Sequence, residues 1–195
     1  MLPGLDDGPA TEGDAFALAA AAARAGTTVL VATPHRNGRW QPSAGTIAAA
    51  VERLQGRLDE ARVALDLRTG AEVALEQAAA LDDTALGALR LGGGPWLLLE
   101  CPYGAAGPEL ERVVGDLIDR GHRILLAHPE RSPALRDRPH ASKRSSSGEC
   151  GARSRPPRSR AAVARLPALE AEAERLTSSV GAAILAGDPL PGEPG

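Results

Sequence analysis

Aromatic residues are nearly absent from this chain: they make up 2% of its 195 residues, as 2 Trp, 1 Tyr and 1 Phe. Its interior must therefore be packed from Leu, Val and Ala. Cysteine is as scarce, and the 2 present, Cys101 and Cys150, lie far apart, which excludes a disulfide framework and a zinc-knuckle spacing. No strong charge of one sign is present either. With 22 basic against 25 acidic residues there is no overall electrostatic case for nucleic acid or an anionic membrane surface. No apolar run approaches the roughly 18 to 20 residues of a membrane span, and no basic segment followed by an apolar stretch opens the chain. The expectation is a cytoplasmic protein without membrane insertion. Lysine is almost missing, Lys143 being the only one among the 22 basic residues, a usage that points to a GC-rich coding sequence.

What is present is an alternation of helices and strands. Thr11 to about Ala25 is Ala-rich, has Thr11 as N-cap and ends at Gly26, which predicts a helix. Thr27 to Ala32 is a short apolar, β-branched run without polar alternation, as in a strand buried on both faces of a parallel sheet. Ser43 to about Ala64 places Ile47, Val51, Leu54, Leu58 and Ala61 at spacings of three and four, a helical pattern. Further strands are expected around Leu65 to Arg68, Trp96 to Leu99 and Arg123 to Ala127, with a helix over Pro108 to Arg120. The fold class is α/β with parallel βα units, which place function at the carboxyl ends of strands. Each predicted strand runs into a His or a carboxylate.

Beyond about Leu135 the character changes. Arg136 to Arg160 is dense in Arg, Ser and Pro and has almost no aliphatic residue, so it cannot bury a core. Residues 136–165 are expected to be a disordered basic linker or the product of a frame shift near residue 136, because Ala141 to Gly151 can be encoded so that a neighbouring frame spells an amphipathic helix. Residues 166–195 are expected to form a C-terminal helix and tail.

Five segments carry chemistry: LPGLDDGP (Leu2 to Pro9), ATPHR (Ala32 to Arg36), GAEV (Gly70 to Val73), LECP (Leu99 to Pro102) and AHPER (Ala127 to Arg131). They offer Asp7, His35, Glu72, Glu100 and His128. Mixed imidazole and carboxylate donors without thiolates suit Mn, Fe or Zn in hydrolytic two-metal chemistry better than structural zinc. Arg131, and secondarily Arg36, is a candidate to hold a phosphoryl group through charge-assisted hydrogen bonds. Taken singly, each is ambiguous. A His after a strand is more often structural than a ligand, Asp6-Asp7-Gly8 alone is a turn signal, and Glu100 alone is compatible with a helix cap. Gly92 to Gly94 lacks the Lys and Ser/Thr of a phosphate loop and reads as a turn. His122 reads as a surface residue in a helix-to-strand turn, and His140 falls in the anomalous stretch. Cys101 lacks the following Arg of a cysteine-phosphatase loop and reads as a small buried residue.

As a set, the five segments resemble the polymerase-and-histidinol-phosphatase (PHP) superfamily, in its bacterial capsule-type form of metal-dependent protein-tyrosine phosphatase. The resemblance covers about residues 2–135 and the closing tail, and residues 1–135 are expected to form a partial phosphatase domain. It implies a distorted PHP-type, TIM-like βα barrel, with Asp7, His35, Glu72, Glu100 and His128 as metal ligands and Arg131 as a catalytic, phosphate-binding residue. It further implies divalent metal ions, Mn first with Fe and Zn as alternatives, and a phosphotyrosine protein as partner, such as a bacterial tyrosine kinase regulating capsule or exopolysaccharide production. The family's His-x-His pair and Asp-x-His motif have no counterpart in this sequence. The barrel is therefore expected to be incomplete, truncated at its N-terminus and shifted or deleted near its C-terminus, with impaired activity. Alternatives are a small-molecule phosphatase of the histidinol-phosphate type and a noncatalytic remnant or binding module. A nucleic-acid-binding role for the Arg-rich stretch is the weakest reading.

Overall fold

The computed structural model describes residues 1–102 and 107–132, and the expectations for residues 136–165, 166–195, His140 and Cys150 lie outside them. The first helix, α1 (Glu12–Arg24), starts where its cap dictates: the Thr11 hydroxyl accepts the Asp14 N–H at 3.1 Å. The chain leaves it through Gly26, whose φ of +97° is left-handed. The second helix, α2 (Ala44–Glu60), is capped in the same way by Ser43, which accepts from Thr46 N at 3.0 Å. Its apolar stripe of Ile47, Ala50, Val51, Leu54 and Leu58 is buried. Full burial of each large member of such a stripe contributes roughly 1.5–3 kcal/mol.

All strand pairs are parallel. Strand β1 (Val29–Ala32) pairs β3 (Asp66–Thr69) from Val29–Asp66 to Ala32–Thr69. Strand β2 (His35–Arg36) pairs β4 (Glu72–Val73), with His35 opposite Glu72. Strand β4 then pairs β5 (Trp96–Glu100), and β5 pairs β6 (Arg123–Ala127) with Glu100 opposite Ala127. The result is a two-stranded sheet β1-β3 and a four-stranded sheet β2-β4-β5-β6.

The pair β1-β3 and the pair β2-β4 are consecutive stretches of the same two chain segments. The segments are interrupted at Thr33-Pro34 and at Gly70-Ala71, and Pro34 has no N–H to give the ladder. Pairing resumes at once, because Glu72 N donates to Pro34 O at 3.1 Å and Ala74 N to Arg36 O at 2.9 Å. With β1/β2 and β3/β4 each taken as one interrupted segment, the spatial order follows the chain order, each segment lying beside its successor. This is the parallel βα winding expected from the sequence, and no closed barrel is found among the described residues.

Helices α3 (Leu75–Ala80), α4 (Asp83–Gly87) and α5 (Gly107–Asp119) cover the sheet, and α5 buries Leu110, Val113, Val114 and Leu117 at helical spacing. The core is aliphatic, with Leu2, Leu58, Leu86, Leu97, Leu99 and Leu117 fully enclosed, and Trp96 is its one buried aromatic among the described residues. Gly92 to Gly94 is a turn as expected, tightened into a short 3₁₀ segment over Leu91–Gly93 with left-handed Gly92 and Gly93.

Candidate metal centre

His35 and Glu72 face each other across the β2-β4 ladder, and Glu72 is in turn opposite Leu98 of β5. Side chains two residues apart on a strand share a face, so Glu100, two beyond Leu98, returns to the side of Glu72. Three neighbouring strands thereby deliver one imidazole and two carboxylates to one place. One ligand atom from each of His35, Glu72 and Glu100 lies within 4.8 Å of the other two. His35 Nδ1 is 4.0 Å from Glu72 Oε1, and on the other side of the ring Nε2 is 3.9 Å from Asp7 Oδ1.

The loop carrying Asp7 is held to the sheet by its neighbour. Asp6 Oδ2 accepts the main-chain N–H of His35 at 3.1 Å, and Asp6 Oδ1 accepts from Gly8 N at 2.9 Å. Asp7 itself is exposed. The sequence shows Asp6 only as half of a turn signal; its hydrogen bond across 29 residues has no local signature. Trp40 is a second residue that sequence reasoning passes over. Its ring stacks on that of His35 at 6.0 Å between centroids and 23° between planes.

The electrostatics of the cluster suit a cation. His35 Nδ1 is buried and has no hydrogen-bond partner, an orphaned donor-type atom facing a carboxylate. Burial pushes the Glu100 carboxyl above its usual value; His35 opposes the shift, and the negative charges of Glu72, Glu76 and Asp7 add to it. A divalent ion would complete the imidazole and neutralise this crowded anionic group, and N/O donors without thiolate fit Mn, Fe or Zn. The residues present therefore fit a metal site, with His35, Glu72 and Glu100 at its centre and Asp7 at its edge.

The remaining predicted residues lie around it. His128 follows β6 in a left-handed conformation, φ 50° and ψ 49°, which is uncommon outside glycine. It is not in the three-residue cluster: it is exposed, and its Nδ1 is 3.4 Å from Glu130 Oε1. Arg131 is in the same 3₁₀ turn, Pro129–Arg131, with Nε 3.9 Å from Glu130 Oε1. Arg36 donates from Nη1 to Pro42 O at 2.7 Å, while its Nε is buried without a hydrogen-bond partner. Cys101 is buried, as expected.

The expectation for His122 is overturned. Far from being a surface residue, it is 3% exposed, with Nε2 2.9 Å from Asp83 Oδ1 and Nδ1 3.1 Å from Arg90 Nη2. Since Arg90 can only donate, Nδ1 accepts and Nε2 carries the proton given to Asp83. Arg120 also donates to Asp83, from Nε at 2.8 Å. The His122 hydrogen bond and then that of Arg120 hold the Asp83 carboxyl below its usual value. This network precedes β6, at the amino end of the sheet, and is separate from the metal cluster.

No helix among the described residues is long and apolar enough to cross a membrane. Residues 1–148 match the profile of a family described as capsular polysaccharide synthesis, CpsB/CapC. The tyrosine-protein phosphatase YwqE of Bacillus subtilis (strain 168) is 29% identical over 140 residues, spanning 71% of this chain and 55% of YwqE. A similar solved structure comes from work on YwqE from Bacillus subtilis and CpsB from Streptococcus pneumoniae, described as metal-dependent tyrosine phosphatases. Its TM-score is 0.60 at 29% identity, over 70% of this chain and 56% of the other. The chain thus spans little more than half the length of the relatives it matches. With a match that covers well over half of its residues, and a His/Glu/Glu cluster on adjacent parallel strands, the chain belongs to the CpsB/CapC family of capsular polysaccharide synthesis.

Proposed function

We propose that this chain is a metal-dependent protein-tyrosine phosphatase that regulates capsule or exopolysaccharide synthesis. The observation that carries the reading is the convergence of His35, Glu72 and Glu100, with the orphaned His35 Nδ1, on three adjacent strands. Residues 1–135 are the phosphatase domain, part of a distorted PHP-type βα barrel whose consecutive parallel strands are β1/β2, β3/β4, β5 and β6. Its substrate is a phosphotyrosine protein in the cytoplasm, such as a tyrosine kinase of the capsule system.

His35, Glu72 and Glu100 hold the metal, with Asp7 and His128 as further ligands from flanking loops. Manganese is the proposed ion, with Fe and Zn compatible with the same donors. When bound, divalent cations supply Lewis acidity to the phosphoryl group and to the water that attacks it. Asp6 keeps the Asp7 loop against His35. Arg36 and Arg131 orient the phosphoryl oxygens through charge-assisted hydrogen bonds, and Arg131 stabilises the charge that develops on them during transfer.

The test is phosphate release by the full chain, with Mn²⁺ or with a chelator, from a phosphotyrosine peptide, a phosphoserine peptide and histidinol phosphate. The expected result is Mn²⁺-dependent turnover of the phosphotyrosine peptide that Glu72→Gln abolishes. Preference for histidinol phosphate would move the chain to small-molecule phosphatases. Absence of metal-dependent turnover on all three would leave a noncatalytic binding module.

A further inference from the structure

We infer that Trp40 is a specificity residue, forming an aromatic wall of the metal site against which the aryl ring of an aryl phosphate packs. The inference rests on the phosphatase reading above and names what selects its substrate.

Aromatic residues make up 2% of this chain, so an indole beside a candidate ligand is not a product of general abundance. Trp40 is half-buried, and its ring lies 6.0 Å from that of His35 in a stacked arrangement. The loop that presents it is preorganised. Asn37 N donates to Trp40 O at 2.7 Å, and the Asn37 side-chain oxygen accepts from Arg39 N at 2.9 Å and Trp40 N at 3.1 Å. Three hydrogen bonds thus close a short turn between β2, which carries His35, and α2. An ordered turn of this kind presents a large ring at low entropic cost on binding.

The geometry then constrains a substrate. In an aryl phosphate one ester oxygen joins phosphorus directly to the ring, so a phosphoryl group seated at His35, Glu72 and Glu100 keeps its ring within one linkage of that cluster. Trp40 is on the His35 side of the cluster, its ring centroid 6.0 Å from that of the imidazole. Offset or edge-to-face contact between two rings is favourable beyond the area buried. An alkyl phosphate, such as phosphoserine, has no ring to place there. The Arg39 guanidinium, exposed and 4.5 Å from the Trp40 ring centroid, adds positive charge at the same rim, which suits a phosphate dianion.

The experiment is calorimetric titration of the full chain loaded with Mn²⁺, using phenylphosphonate and methylphosphonate, neither of which is hydrolysed. The readout is the ratio of the two affinities in the wild type, Trp40→Phe and Trp40→Leu. Because Trp40 also packs on His35, substitution can weaken the metal site, but that loss acts on both phosphonates and cancels in the ratio. The wild type is expected to prefer phenylphosphonate by up to about tenfold. Trp40→Phe should keep most of the preference and Trp40→Leu should lose it. Equal affinities in the wild type, or an unchanged ratio in Trp40→Leu, overturns the inference and leaves the phosphatase reading intact. If neither phosphonate binds in a Mn²⁺-dependent way, the phosphatase reading fails and the inference falls with it.

Discussion

The Asp6 carboxylate accepts the main-chain N–H of His35 at 3.1 Å, joining two residues 29 positions apart in the chain. Through that bond the loop bearing Asp7 is fixed beside the imidazole, since the other Asp6 oxygen closes the turn onto Gly8 at 2.9 Å. Removing the carboxylate should release the loop, and Asp7 with it, while leaving the side chains of all proposed ligands unaltered. Asp6→Ala is expected to cost about 1.5–3 kcal/mol of stability, the range for hydrogen bonds to charged groups. It should also weaken Mn²⁺ binding by about tenfold or more, as loss of a residue that orients ligands does. Urea unfolding and metal titration measure the two effects; unchanged metal affinity in a folded variant would separate Asp6 from the site.

Glu72 is the most enclosed carboxylate of the cluster, at 9% exposure, and has the imidazole of His35 at 4.0 Å. Metal that binds only the folded chain stabilises it by mass action, by about 2.7 kcal/mol at a hundredfold excess over the dissociation constant. Saturating Mn²⁺ should therefore raise the unfolding midpoint of the wild type, and a chelator should reverse the rise. In Glu72→Gln, with size kept and charge removed, the metal-dependent rise should disappear. An equal rise in both proteins would place the bound metal elsewhere.

Much of this architecture is legible in the sequence because its signals are local. Thr11 and Ser43 announce their helices through cap chemistry confined to four residues, and the apolar run Arg123–Ala127 is the strand the structure contains. Strands β2 and β4 are invisible by the same logic, since two residues cannot show a period, yet they carry His35 and Glu72. His122 is misjudged for a related reason. After Gly121 it has the look of a surface turn, and its partners Arg90 and Asp83 lie 32 and 39 residues away. Asp6 and Trp40 are missed because what matters is their relation to His35 in space.

The His122 network should behave as a structural tie independent of the metal site. His122→Ala removes a buried imidazole together with its hydrogen bonds to Arg90 and to the exposed Asp83, and is expected to cost about 0.5–3 kcal/mol with metal affinity unchanged. Asp83 gives the same network a pH dependence. Its carboxyl ionises more readily in the folded chain than its ordinary value of 3.8, so its contribution is present above that value and is lost as pH falls through the lower folded one. Urea midpoints for wild type and Asp83→Asn should differ near neutrality and converge as pH falls below about 4. A constant difference down to pH 3 would show that the charge of Asp83 is not what matters.

Gly70 occupies the break between β3 and β4, two residues before Glu72, where a side chain has no room. A Cβ there would lie 2.9 Å from Val31 Cγ1, 3.1 Å from Leu91 Cδ2 and 3.4 Å from Thr33 Cγ2. The crowding comes from half-buried Val31 and Thr33 on the neighbouring segment and from buried Leu91 of the 3₁₀ turn, so a side chain at this position requires the β3-β4 segment or these neighbours to move. Gly70→Ala is expected to destabilise the fold by about 1–3 kcal/mol, the usual cost of overpacking. It should also lower Mn²⁺ affinity by displacing Glu72. Because the shortest contact is to a methyl group, Val31→Ala should recover part of both losses in the double variant, beyond what adding the two single effects predicts. A double-mutant cycle read in urea and in metal titration tests this. Additive effects would mean that Gly70 and Val31 do not compete for the same space, and that the position of Glu72 is set by something other than this close approach.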